Sequence, residues 1–499
     1  MGSARVSRSN ERNRVILTMA RRSVLRFLLV AQLFLPSLST QLTLQLTMDV
    51  TIPSLADLGG NQCCVFSGAT TAGDGRVFFQ PMTSDYVGVF DPSTNAFSTI
   101  ATTYADGTPF TLDWKFHGVP VNLRDGRVLF PPKQCDIGLL DPDTDTFITV
   151  KTGTSGCNNA LQGAVLIDDG RVVITPYGGG QIVVFDPSTN TATAMNLPLS
   201  GNAFLLGAKA GDGRVVFPPN FSNQFGIFDP DTNTTEARTV DPMHTHNSLG
   251  YYRFIGAVTA GDGRVVFVPS QTLDVGVFNP WNDTFTTMRT PPMLCDDDAV
   301  ECQAAWMVSG IQDPKGRVVL LSFRAHHILI FDHRTDSLHT VDVNNGFGGL
   351  SAALPDGRIV IPPGARDSVG IFDPSTDTFS TLGSGLPPTE FAAITATDDG
   401  RVVLVPYNGD GPIGVIGFEP CDASAPPQNG GVGTCGSNLP YGSSCAVECD
   451  DRYEATGLTT CSADGYVPAS CVCSPHTAAC CDAMNDMGLL QPTYCSSCY

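Results

Sequence analysis

One phrase, repeated eight times, limits what this 499-residue chain can fold into. Each copy has an apolar run, a Gly-Arg dipeptide closing a tight turn, a second apolar run, and a Phe-Asp-Pro tripeptide or close variant. The dipeptides are Gly75-Arg76, Gly126-Arg127, Gly170-Arg171, Gly213-Arg214, Gly263-Arg264, Gly316-Arg317, Gly357-Arg358 and Gly400-Arg401. A period of roughly 41–53 residues, built from short strands and turns, means a closed array of β-blades.

The copy from Phe254 to Met288 parses into four strands. Phe254–Thr259 comes first, with small Gly256 and Ala257 where blades converge near an axis. Gly261-Asp262-Gly263 supplies a hairpin turn, because glycine tolerates positive φ. The second strand, Arg264–Val268, stops at Pro269. Val275–Phe278 is the third, an Asn-Pro-Trp-Asn-Asp turn follows, and Thr284–Thr287 is the fourth. Runs such as Val-Val-Phe offer apolar groups to both faces, as a sheet sandwiched between neighbours requires. The 51 glycines and 36 prolines, with only 15% charged residues, suit many tight turns.

The last copy breaks off at Glu419-Pro420 without a fourth strand, and Leu42–Val50 alternates well enough to supply it. The expectation is an all-β, eight-bladed propeller over residues 41–420, sealed by its own N-terminal strand. Seven blades is the alternative, if the copy around Gly316 or the truncated last one lies outside the ring.

Stretches such as Leu350–Leu382 resemble kelch-type propeller blades, including those of the galactose-oxidase type, over roughly residues 45–420. That family's paired glycines are replaced here by Pro131-Pro132, Pro218-Pro219 and Pro362-Pro363, and its blade tryptophan by Phe97, Phe147, Phe285 and Phe379. No oxidase copper site carries over. The repeated Arg and the repeated Asp (Asp91, Asp141, Asp186, Asp229, Asp332, Asp373) read as scaffold: the Arg side chains are expected to bond loop carbonyls or Asp carboxylates of the same or adjacent blades.

In antiparallel blades the Gly-Arg turns and Asp-Pro turns share one face, which is nearly uniform. The second-to-third loops and the inter-blade connections share the other, and these vary from copy to copy as a binding surface requires. Candidate ligand-binding residues on that face are Tyr104, Trp114, His117, Tyr177, His244, His246, Tyr251, Tyr252, Arg324, His326, Arg366 and Tyr407. Aromatic faces beside hydrogen-bonding groups suit sugar or peptide recognition. The loop from Cys295 to Cys302, with Asp296, Asp297, Asp298 and Glu301, is open to two readings. It is a solvated acidic hairpin closed by a Cys295–Cys302 disulfide, or a cradle for a hard cation such as Ca²⁺. No catalytic template is present, neither a Gly-x-Ser-x-Gly elbow nor a His-Glu-x-x-His pair.

A net charge of −21 disfavours phosphate backbones and anionic lipid. Residues 1–40 have the layout of a secretory signal peptide: Arg21, Arg22 and Arg26, an apolar run Phe27–Leu35, then Pro36 and small residues, with cleavage expected after Ser39 or Thr40. The run is too short to span a bilayer. Of 17 cysteines, most lie beyond Cys421, as in a disulfide-stapled module from an oxidising compartment. Sequons at Asn220, Asn233 and Asn282 are candidate glycan sites.

Residues 421–472 resemble a sushi (complement control) module through Pro427-Gln428-Asn429-Gly430, Tyr441-Gly442-Ser443, Cys449, Gly457, Cys461, Gly465 and Cys471. The resemblance implies Cys421–Cys461 and Cys449–Cys471 bridges, leaving Cys435–Cys445 as an added one. Residues 473–499 form a further Cys-rich tail. The expectation is a secreted or cell-surface protein that binds a glycan or protein partner without a cofactor or catalysis. The alternative is a secreted carbohydrate-active enzyme using loop acids.

Overall fold

The computed structural model describes residues 44–52, 58, 64–154, 161–177, 180–198, 204, 206–220, 222–240, 253–270, 272–291, 307–322, 326–343, 349–363, 368–383, 391–407, 411–439, 441, 443–462 and 465–473. Every regular element among them is a β-strand. Eight four-stranded antiparallel sheets follow one another, here blades one to eight: residues 66–101, 121–151, 161–196, 208–239, 254–289, 307–342, 352–382, and 391–418 joined by Leu44–Thr51. Thr43–Glu419 is one compact unit.

The closing strand is where the alternation placed it. Leu44 pairs with Phe418, Leu46 with Ile416 and Thr51 with Pro412, so the first strand of the chain completes the last blade. Eight blades therefore stand, and the seven-bladed alternative falls. In blade five the strands are Phe254–Thr259, Val265–Pro269, Asp274–Asn279 and Thr284–Arg289. The fourth runs past Thr287 because Asp274 pairs with Arg289 across the ladder, a partnership that strand propensity does not reveal.

Second strands are buried along their whole length, for example Val77–Pro81, Val172–Pro176 and Val402–Pro406. The core lies between blades rather than inside any one of them. Val403, Val405, Ile413 and Val415 of blade eight pack with Phe66, Val77 and Phe79 of blade one, so the same apolar seam that joins neighbours also closes the ring. Third strands carry a glycine under the aromatic rings. A Cβ on Gly138 would lie 2.8 Å from Phe116 Cζ and 2.9 Å from Phe147 Cζ. Both rings are buried and have nowhere to retreat. Gly138→Ala is therefore expected to destabilise by about 1–3 kcal/mol through overpacking, outweighing the backbone entropy that alanine saves. A urea midpoint equal to or above wild type would refute this.

Seven of the eight repeated arginines link their blade to the next. Arg76 in blade one bonds its own turn's Asp74 at 2.6 Å, then reaches Asp145 Oδ1 (2.8 Å) and the Pro142 carbonyl (2.6 Å) of blade two. Arg127 likewise reaches Asn190 and Pro187, and Arg171 reaches Asn233 and Pro230. Arg214 takes Asp283 and Pro280, Arg264 takes Asp336 and His333, and Arg317 takes Asp377 and Pro374. Arg401 of blade eight donates to the Pro92 carbonyl of blade one, linking the last blade to the first. The scaffold expectation holds, with one correction. The acids that receive the neighbour's arginine are not the repeated Phe-Asp-Pro aspartates, which cap their own turns, as Asp91 does with Ser93 and Thr94. The receivers sit four residues later at left-handed positions, φ 51° at Asp145 and 54° at Asp377, where Asn and Asp are favoured. Arg358 is the exception: the eighth blade has no such turn, and its guanidinium lies over Phe418 at 5.2 Å.

The second unit, whose described part begins at Pro420, consists of short strand pairs around a small cluster of Cys421, Ala423, Leu439, Cys445 and Cys461. Three disulfides staple it: Cys421–Cys461, Cys435–Cys445 and Cys449–Cys471. So little apolar burial leaves the bridges as the main constraint on the fold. Disulfides of this kind are consistent with an extracellular location. Among the described residues no helix is long and apolar enough to cross a membrane.

Candidate functional site

The face opposite the arginine links holds a cavity of about 300 Å³, lined by Ser67, His117, Gln162, Leu206, Ile255, Leu350 and Tyr407 together with Gly118, Val119 and Gly349. These come from seven different blades, so the cavity lies where the innermost strands converge on the axis. Ser67, His117, Gln162, Leu206, Ile255 and Leu350 occupy a single column of the repeat, each one residue before a glycine or serine.

A backbone irregularity turns this column inward. The pairing of first and second strands slips between Phe66 and Gly68 in blade one, Leu161 and Ala164 in blade three, and Phe254 and Gly256 in blade five. Ser67, Gln162 and Ile255 fall inside these slips, freed from the ladder, and such bulges commonly re-aim a side chain. The small residue that follows lets inner strands approach each other. A Cβ on Gly118 (φ 106°) would come 2.6 Å from Gly163 Cα, and one on Gly68 would meet the Gly118 carbonyl at 2.7 Å.

The polar members are held in place. Fully buried Gln80 donates to Ser67 Oγ at 2.9 Å and to the Gly118 carbonyl at 3.1 Å, while Ser67 Oγ donates to the Phe116 carbonyl at 3.0 Å. His117 is fixed by its backbone: its N–H donates to Pro131 and its carbonyl accepts from Gly163. Its ring Nδ1 is buried without a hydrogen-bond partner. Desolvation, helped by the charge of Lys133, lowers its pKa to about 4, so the imidazole is neutral at physiological pH. The unfolded chain takes up this proton below about pH 6.5, whereas the folded one does so only near pH 4. Stability is thus expected to fall by about 3 kcal/mol as pH drops through that window, and to level off below it. Urea midpoints of wild type and His117→Asn measure this. Parallel pH profiles for the two proteins would refute it.

Of the residues singled out from sequence, His117 and Tyr407 reach the cavity. Tyr104 does not: its ring packs edge-on against Phe110 at 5.0 Å, with Lys151 Nζ 5.5 Å away, filling space beside blade two. Trp114 is 40% exposed, with Lys133 Nζ 4.6 Å from its ring. Tyr177 and His326 are half-buried and do not line the cavity. His244, His246, Tyr251, Tyr252, Arg324 and Arg366 lie outside the described residues, as do Cys295, Asp296, Asp297, Asp298, Glu301 and Cys302. Among the described residues no group of three or more His, Cys, Asp or Glu could hold a metal ion. Asn233 and Asn282 are exposed in third-to-fourth-strand turns on the arginine face, whereas Asn220 is 1% exposed.

Ser67, Gln162, Leu206, Ile255 and Leu350 escaped the sequence reading, which looked for long loops and aromatic residues. The signal that finds them is the column itself: one position of the repeat whose chemistry changes from copy to copy while the next residue stays small.

No protein-family model matches the chain, and no curated protein matches it. Solved structures do. A streptogramin B lyase is 14% identical, with a TM-score of 0.47, over 75% of this chain and 98% of its own. A catalytically inactive virginiamycin B lyase from Staphylococcus aureus with quinupristin is 11% identical, with a TM-score of 0.48, over 75% and 99%. The extracellular domain of a hybrid two component system from B. thetaiotaomicron is 12% identical, with a TM-score of 0.45, over 85% of this chain and 50% of its own. The similarity lies in the propeller fold and extends no further.

Proposed function

We propose that this is a secreted or cell-surface recognition protein that binds a glycan or protein partner through the variable face of its propeller, without catalysis. The observation that carries this is the axial cavity, with its orphaned His117 Nδ1, continuous along the chain with an exposed apolar segment. Leu112, Trp114 and Val119 are each at least 40% exposed, and Val119 itself lines the cavity. A recessed pocket beside an exposed tryptophan is the anatomy of a recognition site. Among the described residues the cavity's lining side chains include no carboxylate, lysine or arginine.

In this reading residues 1–40 are a removable secretion signal and the blades are of kelch-like type. The disulfide-stapled module from Cys421 is a sushi-like second contact surface, and glycans on Asn233 and Asn282 decorate the arginine face away from the partner. The test screens wild type and a Trp114→Ala/His117→Ala variant against a glycan array and a panel of purified extracellular proteins. Binding is expected to weaken at least about tenfold in the variant. Partners that bind both proteins equally, or no partner at all in either screen, would overturn the reading.

A further inference from the structure

The axial cavity has two unlike halves. Going round the ring, the column residue is Ser67, His117 and Gln162 in blades one to three, then Leu206 and Ile255 in blades four and five, and Leu350 in blade seven. The sixth and eighth copies of the repeat carry Val308 and Ala392 at the same position. Tyr407, whose carbonyl accepts from Val65 N–H of blade one, joins the polar arc. Among the described lining residues, Tyr407, Ser67, His117 and Gln162 offer hydrogen-bonding groups, with Val119 among them, and Leu206, Ile255 and Leu350 offer aliphatic surface.

From this division we infer that the cavity takes an uncharged amphipathic small molecule, or such a group of a larger one, with a hydroxyl or amide head against Ser67, His117 and Gln162 and an aliphatic body against Leu206, Ile255 and Leu350. The inference rests on the proposed binding role of this face and names what enters its centre. The wall there carries the Ser67 hydroxyl, the His117 ring and the Gln162 amide, so a donor–acceptor head finds hydrogen-bonding groups that an apolar ligand would leave unused. The volume of about 300 Å³ sits at the small end of ligand pockets. A charged head is disfavoured, because among the described residues no lining side chain carries a compensating charge and the neutral imidazole cannot supply one.

Three probes with one eight-carbon body and different heads test this: 1-octanol, octanoate and octylammonium, titrated calorimetrically into the full-length secreted protein at pH 7.5. Octanol is expected to bind one-to-one and at least about tenfold more tightly than either ion. Ile255→Asp should abolish that binding. Gln162→Leu, a change that spares the apolar wall and should fold normally, should weaken it several-fold with an unchanged melting temperature. Ions that bind as well as the alcohol, no saturable binding of any probe, or octanol binding unaffected by both variants would each overturn the assignment. If the glycan or protein screen yields a partner sensitive to Trp114 and His117 while octanol fails, the recognition role of the face stands and this inference alone falls.

Discussion

Removing residues 1–52, with a foreign secretion leader in their place, is expected to abolish cooperative folding of the propeller. The loss reaches beyond one strand. Leu44 and Ile52 are 8% and 2% exposed, and Leu44 belongs to the cluster that also holds Ile394, Val402, Leu404 and Ile416. Burying two such side chains contributes about 1.5–3 kcal/mol each. The paired backbone from Leu44 to Thr51 is lost with them, which leaves the ladder groups of Pro412–Phe418 unpaired at an open edge. Edges of that kind recruit other chains. The sum approaches the whole stability margin of a domain, about 5–15 kcal/mol. Size-exclusion chromatography and urea unfolding should show aggregated or pre-unfolded protein. A synthetic peptide of residues 43–52, added during refolding, should restore a monomer by adding its strand to that edge. A monomeric deletion variant with a wild-type urea midpoint would show that the ring does not need its clasp.

Arg317→Ala should be the most damaging of the arginine substitutions, costing about 3–5 kcal/mol, because it leaves a buried carboxylate without its cation. The Arg317 side chain is 3% exposed and that of Asp313 is wholly buried, and they meet at 2.7 Å. The same guanidinium donates to Asp377 at 2.6 Å and to the Pro374 carbonyl at 3.0 Å in the next blade. Arg127 makes the equivalent link with an Asp125 partner whose side chain is 41% exposed, so Arg127→Ala should cost about 1 kcal/mol or less. Asp313→Asn in the Arg317→Ala background should recover part of the loss by removing the stranded charge. Equal urea midpoints for the two alanine variants would sink the distinction. The Arg317 guanidinium also holds the Asp377 carboxyl below the usual carboxylate range. A carboxyl depressed in this way stabilises the fold above its unfolded pKa. That contribution drains away as pH falls through the lower folded value.

The links explain why the Gly-Arg turns are so uniform. All but Arg358 must satisfy an acid in their own hairpin and a carbonyl in their neighbour's, so neither the identity nor the spacing of the arginine can drift. The variable face carries no such duty, and there the copies diverge. Sequence reasoning recognised the uniform face as scaffold and the other as the place for a site. It chose Tyr104 as a ligand residue because an aromatic in a long connection looks available, yet Phe110 and Lys151 occupy its two sides. His117 was visible as a polar residue in a long connection. Its neutral, orphaned state was not, because desolvation depends on what closes over the ring.

The choice of eight blades over seven came from the sheets themselves, whereas the order of residues alone determined the strand-and-turn period, the missing last strand and the segment that supplies it. These are local matters of alternation, turn chemistry and spacing, written within a few dozen residues. Tertiary structure decided which acid each arginine grips and which side chains meet at the axis. A ring brings Ser67 and Leu350 together across 283 positions of chain, and a one-residue slip in strand pairing selects the side chain that faces inward. Neither the curvature of the ring nor that slip has a signature in any single copy, because both arise only when neighbouring blades press their small residues together.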